Sequence, residues 1–170
     1  MSAATPLPLS VEDYLHSSYH PDCDYVDGEL QERNLGEFDH AAVQTALAVW
    51  FASHAKEWNI RAVTELRIQV APTRFRIADV CLMSRDEPVE QVPTRAPLAV
   101  IEVLSPEDLV SRYQQRLDDY RLMEVPNIWI VDPESRRGYD CSAGSWIEKQ
   151  SFAVQNSPIT VDLATIVADL

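Results

Sequence analysis

The segment "APLAVIEVLSPED", residues 96–108, constrains the fold more than any other stretch of the sequence. Residues 98–104 are apolar apart from Glu102, which predicts a strand buried on both faces. Ser105 and Pro106 suit the N-cap and first position of a helix, so a helix is expected directly after that strand. The apolar run in "VPNIWIVDP" predicts the next strand. Strand, helix and strand in this order predict a right-handed parallel crossover.

The sequence before this segment predicts two helices, a hairpin and two strands. Ser10 with Asp13 indicates a capped short helix, and Asp27-Gly28 in "DYVDGEL" is typical of a two-residue hairpin turn. Residues 39–57 have helical apolar spacing, with Asp39 as the expected N-cap. Two strands are expected over 60–70 and 74–83.

The C-terminal part predicts a hairpin around residues 142–145 and a final helix from Asp162. We therefore expect an α/β fold in which helices flank a mixed β-sheet, with an N-terminal hairpin and a C-terminal hairpin and helix as extensions.

Composition limits the size and class of the protein. The chain has 170 residues, of which 46% are hydrophobic, so we expect one domain over residues 1–170. Neither a secretory signal nor a membrane-spanning run is recognisable, so a cytoplasmic location is expected. The three cysteines are far apart and predict neither a zinc site nor disulfides. The net charge of −13 argues against a protein that coats nucleic acid through charge alone.

Three charged residues are predicted to point inward. Arg116 falls near the centre of an apolar helical stripe and is the first candidate partner for Glu102. Asp79 lies in an apolar strand and is expected next to the strand of Glu102. The apolar stripe consists of Leu109, Tyr113, Leu117, Tyr120 and Met123.

Two interpretations of these charges remain open. Neighbouring carboxylates repel each other and raise each other's pKa, a conflict that a hard divalent ion such as Mg²⁺ resolves. Alternatively, Arg116 and Glu102 form a buried ion pair, and Asp79 caps a loop or accepts backbone hydrogen bonds. Clustered inward charges favour a chemical role.

The motifs "DYVDGEL", "RIADV", "LAVIEVLSPED", "RLDDY" and "VPNIWIVDP", in this order, resemble the bacterial Uma family of restriction-endonuclease-like proteins. That family belongs to the PD-(D/E)XK nuclease superfamily, and the resemblance covers about residues 9–140. It implies a metal-dependent DNA endonuclease, in which Asp79 and Glu102 are the metal ligands and the carbonyl of Val103 is the third. Mg²⁺ or Mn²⁺ is the implied cofactor, and a homodimer is implied as well.

Two further residues are possible supporting groups. Glu29 matches a recurrent family glutamate, although a solvent-facing hairpin residue is nearly as compatible with its position. His40, near the start of the long helix, is either a contact of the site or a capping or surface residue. Basic residues that could contact phosphate are scattered along the chain, namely Arg74, Arg76, Arg112, Arg121, Arg136 and Arg137.

The sequence departs from the family pattern at the lysine. Leu104 stands where the superfamily has lysine, and Arg116 stands at the helical position to which the family moves it. Arginine keeps the positive charge but stays protonated, so it cannot act as a base.

Two hypotheses follow. The first is a Mg²⁺-dependent endonuclease in which Arg116 supplies the positive charge, with Asp79, Glu102 and Arg116 as catalytic residues. The second is a catalytically silent nuclease-like domain for dimerisation or partner binding, with Glu102 and Arg116 closed as an ion pair. A nucleic-acid-binding module without chemistry is disfavoured by the acidic net charge.

Overall fold

The computed structural model of the chain describes residues 8–34, 36–106, 110–168 and 170. Within these residues the helices are α1 (Val11–His16), α2 (Phe38–Ser53), α3 (Val110–Leu122) and α4 (Leu163–Ile166). The strands are β1 (Cys23–Val26), β2 (Glu29–Glu32), β3 (Ile60–Ala71), β4 (Arg74–Ser84), β5 (Ala99–Val103), β6 (Ile128–Asp132), β7 (Arg137–Asp140), β8 (Ile147–Lys149), β9 (Ser151–Ala153) and β10 (Thr160–Asp162).

A mixed sheet of eight strands forms the body of the described structure. Its order is β2-β1-β4-β5-β6-β7-β8, and β3 pairs with β4. Strands β5 and β6 are parallel, while the other paired strands of the sheet are antiparallel. The predicted parallel pairing of the strands before and after α3 is therefore confirmed.

Strand β4 has an interrupted edge that positions the site. Strand β3 pairs along one edge of β4 from end to end. On the other edge, β1 pairs with its start, Tyr25 opposite Phe75, and β5 pairs with its end, Ile101 opposite Val80. Residues 76–79 lie between these two pairings, so side chains can approach the main chain of β4 there.

Helices pack on both faces of the sheet, because successive side chains of a strand point to opposite faces. On one face, Leu47 and Phe51 of α2 join a buried cluster with Leu82, Ile101 and Trp129. On the other face, α3 packs through a second cluster. That cluster includes Leu117, Tyr120, Cys81, Val100 and Ile130. Glu102 lies two residues after Val100 on the same face of β5 and therefore faces α3.

Several local predictions are confirmed. The backbone N–H of Asp13 donates to Ser10 Oγ at 3.0 Å, so Ser10 caps α1. Asp27 and Gly28 turn the β1–β2 hairpin with φ of 50° and 98°, the left-handed values that such a turn requires. The hairpin near residues 142–145 connects β7 and β8.

Other expectations differ from the structure. Asp39 is not the N-cap of α2, because the helix begins one residue before it, with Glu37 at the cap position. The helix also ends at Ser53, earlier than its apolar spacing suggested. In the described residues α3 begins at Val110, so the predicted capping by Ser105 and Pro106 depends partly on residues 107–109, which lie outside the described chain.

The C-terminal region contains a feature that was not predicted. Strands β9 and β10 form a separate two-stranded sheet, and α4 after Asp162 is shorter than expected. In the described part of the chain, no helix has both the length and the apolar character needed to cross a membrane.

Candidate active site

Asp79 lies at the interrupted edge of β4 and connects it to β5. Its Oδ2 accepts a hydrogen bond of 2.7 Å from the backbone N–H of Val103, and its side chain is 1% exposed. Its Oδ1 contacts the guanidinium of Arg33. Asp79 thus accepts a backbone hydrogen bond, as the interpretation without a metal predicted. It also forms an ion pair with Arg33.

Glu102 meets the partner that the helical spacing predicted. Arg116 Nη2 donates to Glu102 Oε1 at 2.9 Å, and the hydroxyl of Tyr120 donates to the same oxygen at 2.5 Å. Both partners lie on α3, and Glu102 is 1% exposed. The strand and the helix that follows it therefore bring an acid and a cation together within the crossover.

Arg116 also bonds to the main chain of β4. Its Nη2 donates to the carbonyl of Ile77 at 2.6 Å, and its Nη1 donates to Asp24 Oδ2 at 2.5 Å. Asp24 Oδ1 accepts the N–H of Ile77 at 2.9 Å. Two side chains thus satisfy the backbone of Ile77 where β4 has no strand partner on that edge.

Asp24 was missed as a site residue, although the sequence held a signal for it. It lies in β1, whose four residues are all buried. A carboxylate inside such a strand requires a donor or a cation, which is the reasoning that identified Glu102.

A second charged cluster lies beside the first around Arg76. Arg76 is 0% exposed. Its Nε donates to Asp119 Oδ2 at 2.7 Å and its Nη1 to Asp24 Oδ2 at 3.0 Å. This burial removes Arg76 from the candidates for phosphate contact.

Arg33 and Glu65 extend the site on the far side of Asp79. Arg33 Nη2 contacts Asp79 and Nη1 contacts Glu65 Oε2. Gln44 Nε2 donates to Glu65 Oε1 at 2.5 Å and to the Asp79 carbonyl at 3.0 Å. Glu65 has a φ of 50° within β3, a strained value for a residue other than glycine. Sequence reasoning did not identify either residue.

The two possible supporting residues have different positions. His40 Nε2 lies 3.5 Å from Asp79 Oδ2, and Gly36 allows close packing, because a Cβ there would lie 2.7 Å from His40 Nδ1. Glu29 is exposed in β2, opposite Val26, and does not line the pocket. His40 therefore adjoins the site, whereas Glu29 is the solvent-facing hairpin residue that the alternative interpretation described.

The environment shifts the pKa values of the two carboxyl groups in opposite directions. Burial favours a higher pKa for Asp79, but the hydrogen bond from His40 and the charge of Arg33 outweigh it and hold the pKa below its usual range. Burial raises the pKa of Glu102 to about 7 against the opposing charge of Arg116, and the charge of Asp79 adds to the rise. Divergent values of this kind are typical of acid–base sites.

These groups line one solvent-connected pocket. Asp79 and Glu102 are among its acidic residues, and its arginines are Arg33, Arg76, Arg112 and Arg116. Arg112 is exposed on the first part of α3. A pocket lined by both carboxylates and arginines suits a polyanionic substrate, of which one phosphate is bound at the pocket.

Comparison with known families identifies the family to which the chain belongs. A family model described as "Putative restriction endonuclease", Uma2, matches residues 11–160. The chain belongs to the Uma2 family. The resemblance drawn from the five sequence motifs is therefore confirmed.

Solved structures agree with the fold. A crystal structure of "a putative nuclease belonging to DUF820 from Anabaena variabilis ATCC 29413" matches with a TM-score of 0.77 and 15% identity. The match covers 95% of this chain and 98% of that one. This likeness confirms the predicted fold, a mixed sheet flanked by helices.

A cryoEM structure titled "DrdV-DNA complex" matches with a TM-score of only 0.39 and 19% identity, over 73% of this chain and 10% of that chain. No curated protein matches the chain.

The donors of the Uma2 pocket fit a hard divalent cation in their chemistry. Asp79, Glu102 and the carbonyl of Val103 are oxygen donors, and Mg²⁺ commonly uses one or two carboxylates together with water. No group of three or more His, Cys, Asp or Glu side chains suited to a metal occurs among the described residues. The donors already have partners, because arginines contact both carboxylates and the Tyr113 hydroxyl donates to the Val103 carbonyl at 3.0 Å.

Proposed function

We propose that this Uma2 protein is a metal-dependent DNA endonuclease that hydrolyses phosphodiester bonds in the pocket of Asp79 and Glu102. The observation that carries the proposal is the convergence of Asp79, Glu102 and Arg116 in one solvent-connected pocket. They come from β4, β5 and α3, in a chain whose family is described as a restriction endonuclease. Membership of this family supports DNA as the substrate.

Asp79 and Glu102 are the groups that would hold Mg²⁺ or Mn²⁺, with the carbonyl of Val103 as a third donor. When bound, the metal would supply Lewis-acid stabilisation of the phosphate and lower the pKa of water. The protein contributes fixed donors, because the Val103 N–H orients Asp79 and the Tyr120 hydroxyl orients Glu102.

Arg116 contributes charge rather than base catalysis. Burial disfavours its charged form, but Asp24 and Glu102 raise its pKa well above the usual value, so it remains a guanidinium. It holds Glu102 in place and adds positive potential where a phosphate enters. Arg112, exposed at the same pocket, is positioned to contact the nucleic-acid backbone.

Cleavage of supercoiled plasmid by purified protein tests the proposal. We expect nicking with Mg²⁺, loss of nicking with EDTA, and loss in Asp79→Asn. Asp118→Asn is the matched control, because its side chain lies on α3 with 60% exposure. Equal rates for the wild type and Asp79→Asn would contradict the proposal and assign any cleavage to a contaminant or another site.

The second candidate is a catalytically silent nuclease-like domain that dimerises or binds a partner. Closed contacts favour it, because Arg116 pairs with Glu102 and Tyr113 donates to the Val103 carbonyl. Calorimetry with Mg²⁺ and Mn²⁺ separates the two candidates. Binding that disappears in Asp79→Asn supports the endonuclease, and the absence of any Asp79-dependent binding supports the silent domain.

The family resemblance also supports a homodimer. Sedimentation velocity at several concentrations tests this part of the proposal, with a dimer mass expected and a monomer at all concentrations as the contradicting result.

A further inference from the structure

The carboxylate of Asp79 divides its two oxygens between a structural and a removable partner. Oδ2 accepts the backbone N–H of Val103 at 2.7 Å, a bond that joins β4 to β5. Oδ1 contacts Nη2 of Arg33. Because Oδ2 is tied to the main chain, Oδ1 is the oxygen that a bound cation can use without disturbing the sheet.

Arg33 occupies a position between two acids. Its second amino group, Nη1, contacts Glu65, while Gln44 donates to both the Glu65 carboxylate and the Asp79 carbonyl. Arg33 lies just after β2, and its side chain is 15% exposed. Its guanidinium therefore bridges Asp79 and Glu65 in the lining of the pocket, and its side chain is more exposed than that of Arg116, which is 10% exposed.

The contact with Arg33 has a direct electrostatic consequence. A guanidinium next to Asp79 already supplies positive charge to Asp79 and Glu102, and it repels a second cation in the same place. Arg116 has less freedom, because it is bonded to Asp24, Ile77 and Glu102 at once. Among the described residues, the guanidinium of Arg33 contacts two side-chain carboxylates, whereas that of Arg116 is also bonded to the main chain.

We propose that Arg33 is an internal competitor for the metal at Asp79, and that its guanidinium leaves Asp79 Oδ1 when a divalent cation binds. Arg33 thereby sets the metal affinity of the pocket. This inference rests on the proposed metal dependence of the site. It assigns a role to a residue outside the β4, β5 and α3 set that forms the proposed catalytic centre.

Titration calorimetry with Mn²⁺ tests the inference on four full-length proteins. Arg33→Gln removes the charge and is expected to bind Mn²⁺ at least about tenfold more tightly than the wild type, because a like charge beside the cation is lost. Arg33→Lys retains a charge and is expected to remain near the wild type. Arg95→Gln, in an exposed ion pair with Glu87, is the control and should be unchanged.

The outcomes separate this inference from the proposed function. Wild-type Mn²⁺ binding and plasmid cleavage together with unchanged or weaker binding by Arg33→Gln would overturn only the role of Arg33. Absence of Mn²⁺ binding by all four proteins would overturn both the role of Arg33 and the metal dependence of the site.

A crystal of the wild-type protein soaked in MnCl₂ tests the same point if Arg33→Gln fails to fold. Anomalous density next to Asp79 Oδ1, with the Arg33 guanidinium moved away, is the expected result. Density at Asp79 with the Arg33 contact intact, or no density there, would overturn the inference.

Discussion

Two clusters of buried charge adjoin β4, and they differ in how deeply their central arginines are buried. In the Arg76 cluster, the side chains of Arg76, Asp24 and Asp119 are 1%, 3% and 2% exposed. In the pocket, Asp79 and Glu102 are equally buried, but Arg33 and Arg116 are 15% and 10% exposed. Burial of the acids is thus common to both clusters, and the burial of the central arginine distinguishes them, because Arg76 is closed off whereas Asp119 reaches solvent only through a second partner, Arg74, which is 33% exposed.

The difference separates structural from chemical roles. Arg76 and Asp24 border the same pocket, but the Arg76 guanidinium is held between Asp24 and Asp119, so we assign this cluster to folding and to the attachment of β1 to β4. The pocket keeps its carboxylates out of bulk water while their arginines remain accessible to a solute. Arg116 belongs to both clusters, because its Nη1 bonds to Asp24 and its Nη2 to Glu102.

The largest expected effect is on stability in the Arg76 cluster. Arg76→Met removes the cation shared by Asp24 and Asp119, which keep only Arg116 and Arg74, so the free energy of unfolding should fall by about 3 kcal/mol, the lower end of the cost of breaking a buried ion pair. Urea denaturation measures it, with Arg95→Met as the exposed control at about 0.5 kcal/mol or less. A loss below about 1 kcal/mol for Arg76→Met would show that the cluster is not structural.

The next effect is on cleavage and concerns the arginine that joins the clusters. Arg116→Gln removes the positive charge and should slow plasmid cleavage by about 10²–10³-fold. Arg116→Lys retains the charge and the family's lysine, so cleavage should remain within about tenfold of the wild type. Equal loss in both variants would indicate that the shape of the guanidinium, rather than its charge, is what the pocket requires.

Addition of Mg²⁺ should stabilise the folded protein through binding at Asp79 in the pocket. At a metal concentration of about 100 times the dissociation constant, the gain is about 2.7 kcal/mol, and EDTA should reverse it. Differential scanning fluorimetry should show the gain in the wild type and in Asp118→Asn, and lose it in Asp79→Asn. A gain that persists in Asp79→Asn would locate the metal elsewhere.

The smallest expected effect comes from Tyr113, whose hydroxyl holds the carbonyl of Val103. Tyr113→Phe should lower the free energy of unfolding by about 0.5–1.5 kcal/mol, the usual contribution of one hydrogen bond. Because the carbonyl then loses a competing donor, Mn²⁺ affinity measured by calorimetry should stay equal or rise. Weaker Mn²⁺ binding would mean that the hydroxyl supports the metal rather than competing with it.

Contacts within the crossover could be predicted, because they depend on local spacing. Glu102 and Arg116 are 14 residues apart, and one buried strand followed by one amphipathic helix brings them together. The order of the five motifs was sufficient to predict the fold, although no single motif would have been sufficient.

Contacts made by the N-terminal hairpin could not be predicted in the same way. Asp24 and Arg116 are 92 residues apart, and Arg33 and Asp79 are 46 apart. These residues come into contact because β1 pairs with the start of β4. No local sequence pattern indicates which strands pair over such a separation. Strands β9 and β10 have three residues each, too few to show a clear alternation.

Plasmid cleavage by Glu102→Gln, with urea denaturation on the same preparation, tests the central assignment most directly. Burial raises the pKa of Glu102 to about 7, and glutamine has the same shape and can still accept the Tyr120 hydroxyl, so the variant should fold. We predict a folded protein that cleaves about 10²–10³-fold more slowly than the wild type. A folded Glu102→Gln protein that cleaves at the wild-type rate would contradict the assignment of the pocket as the active site.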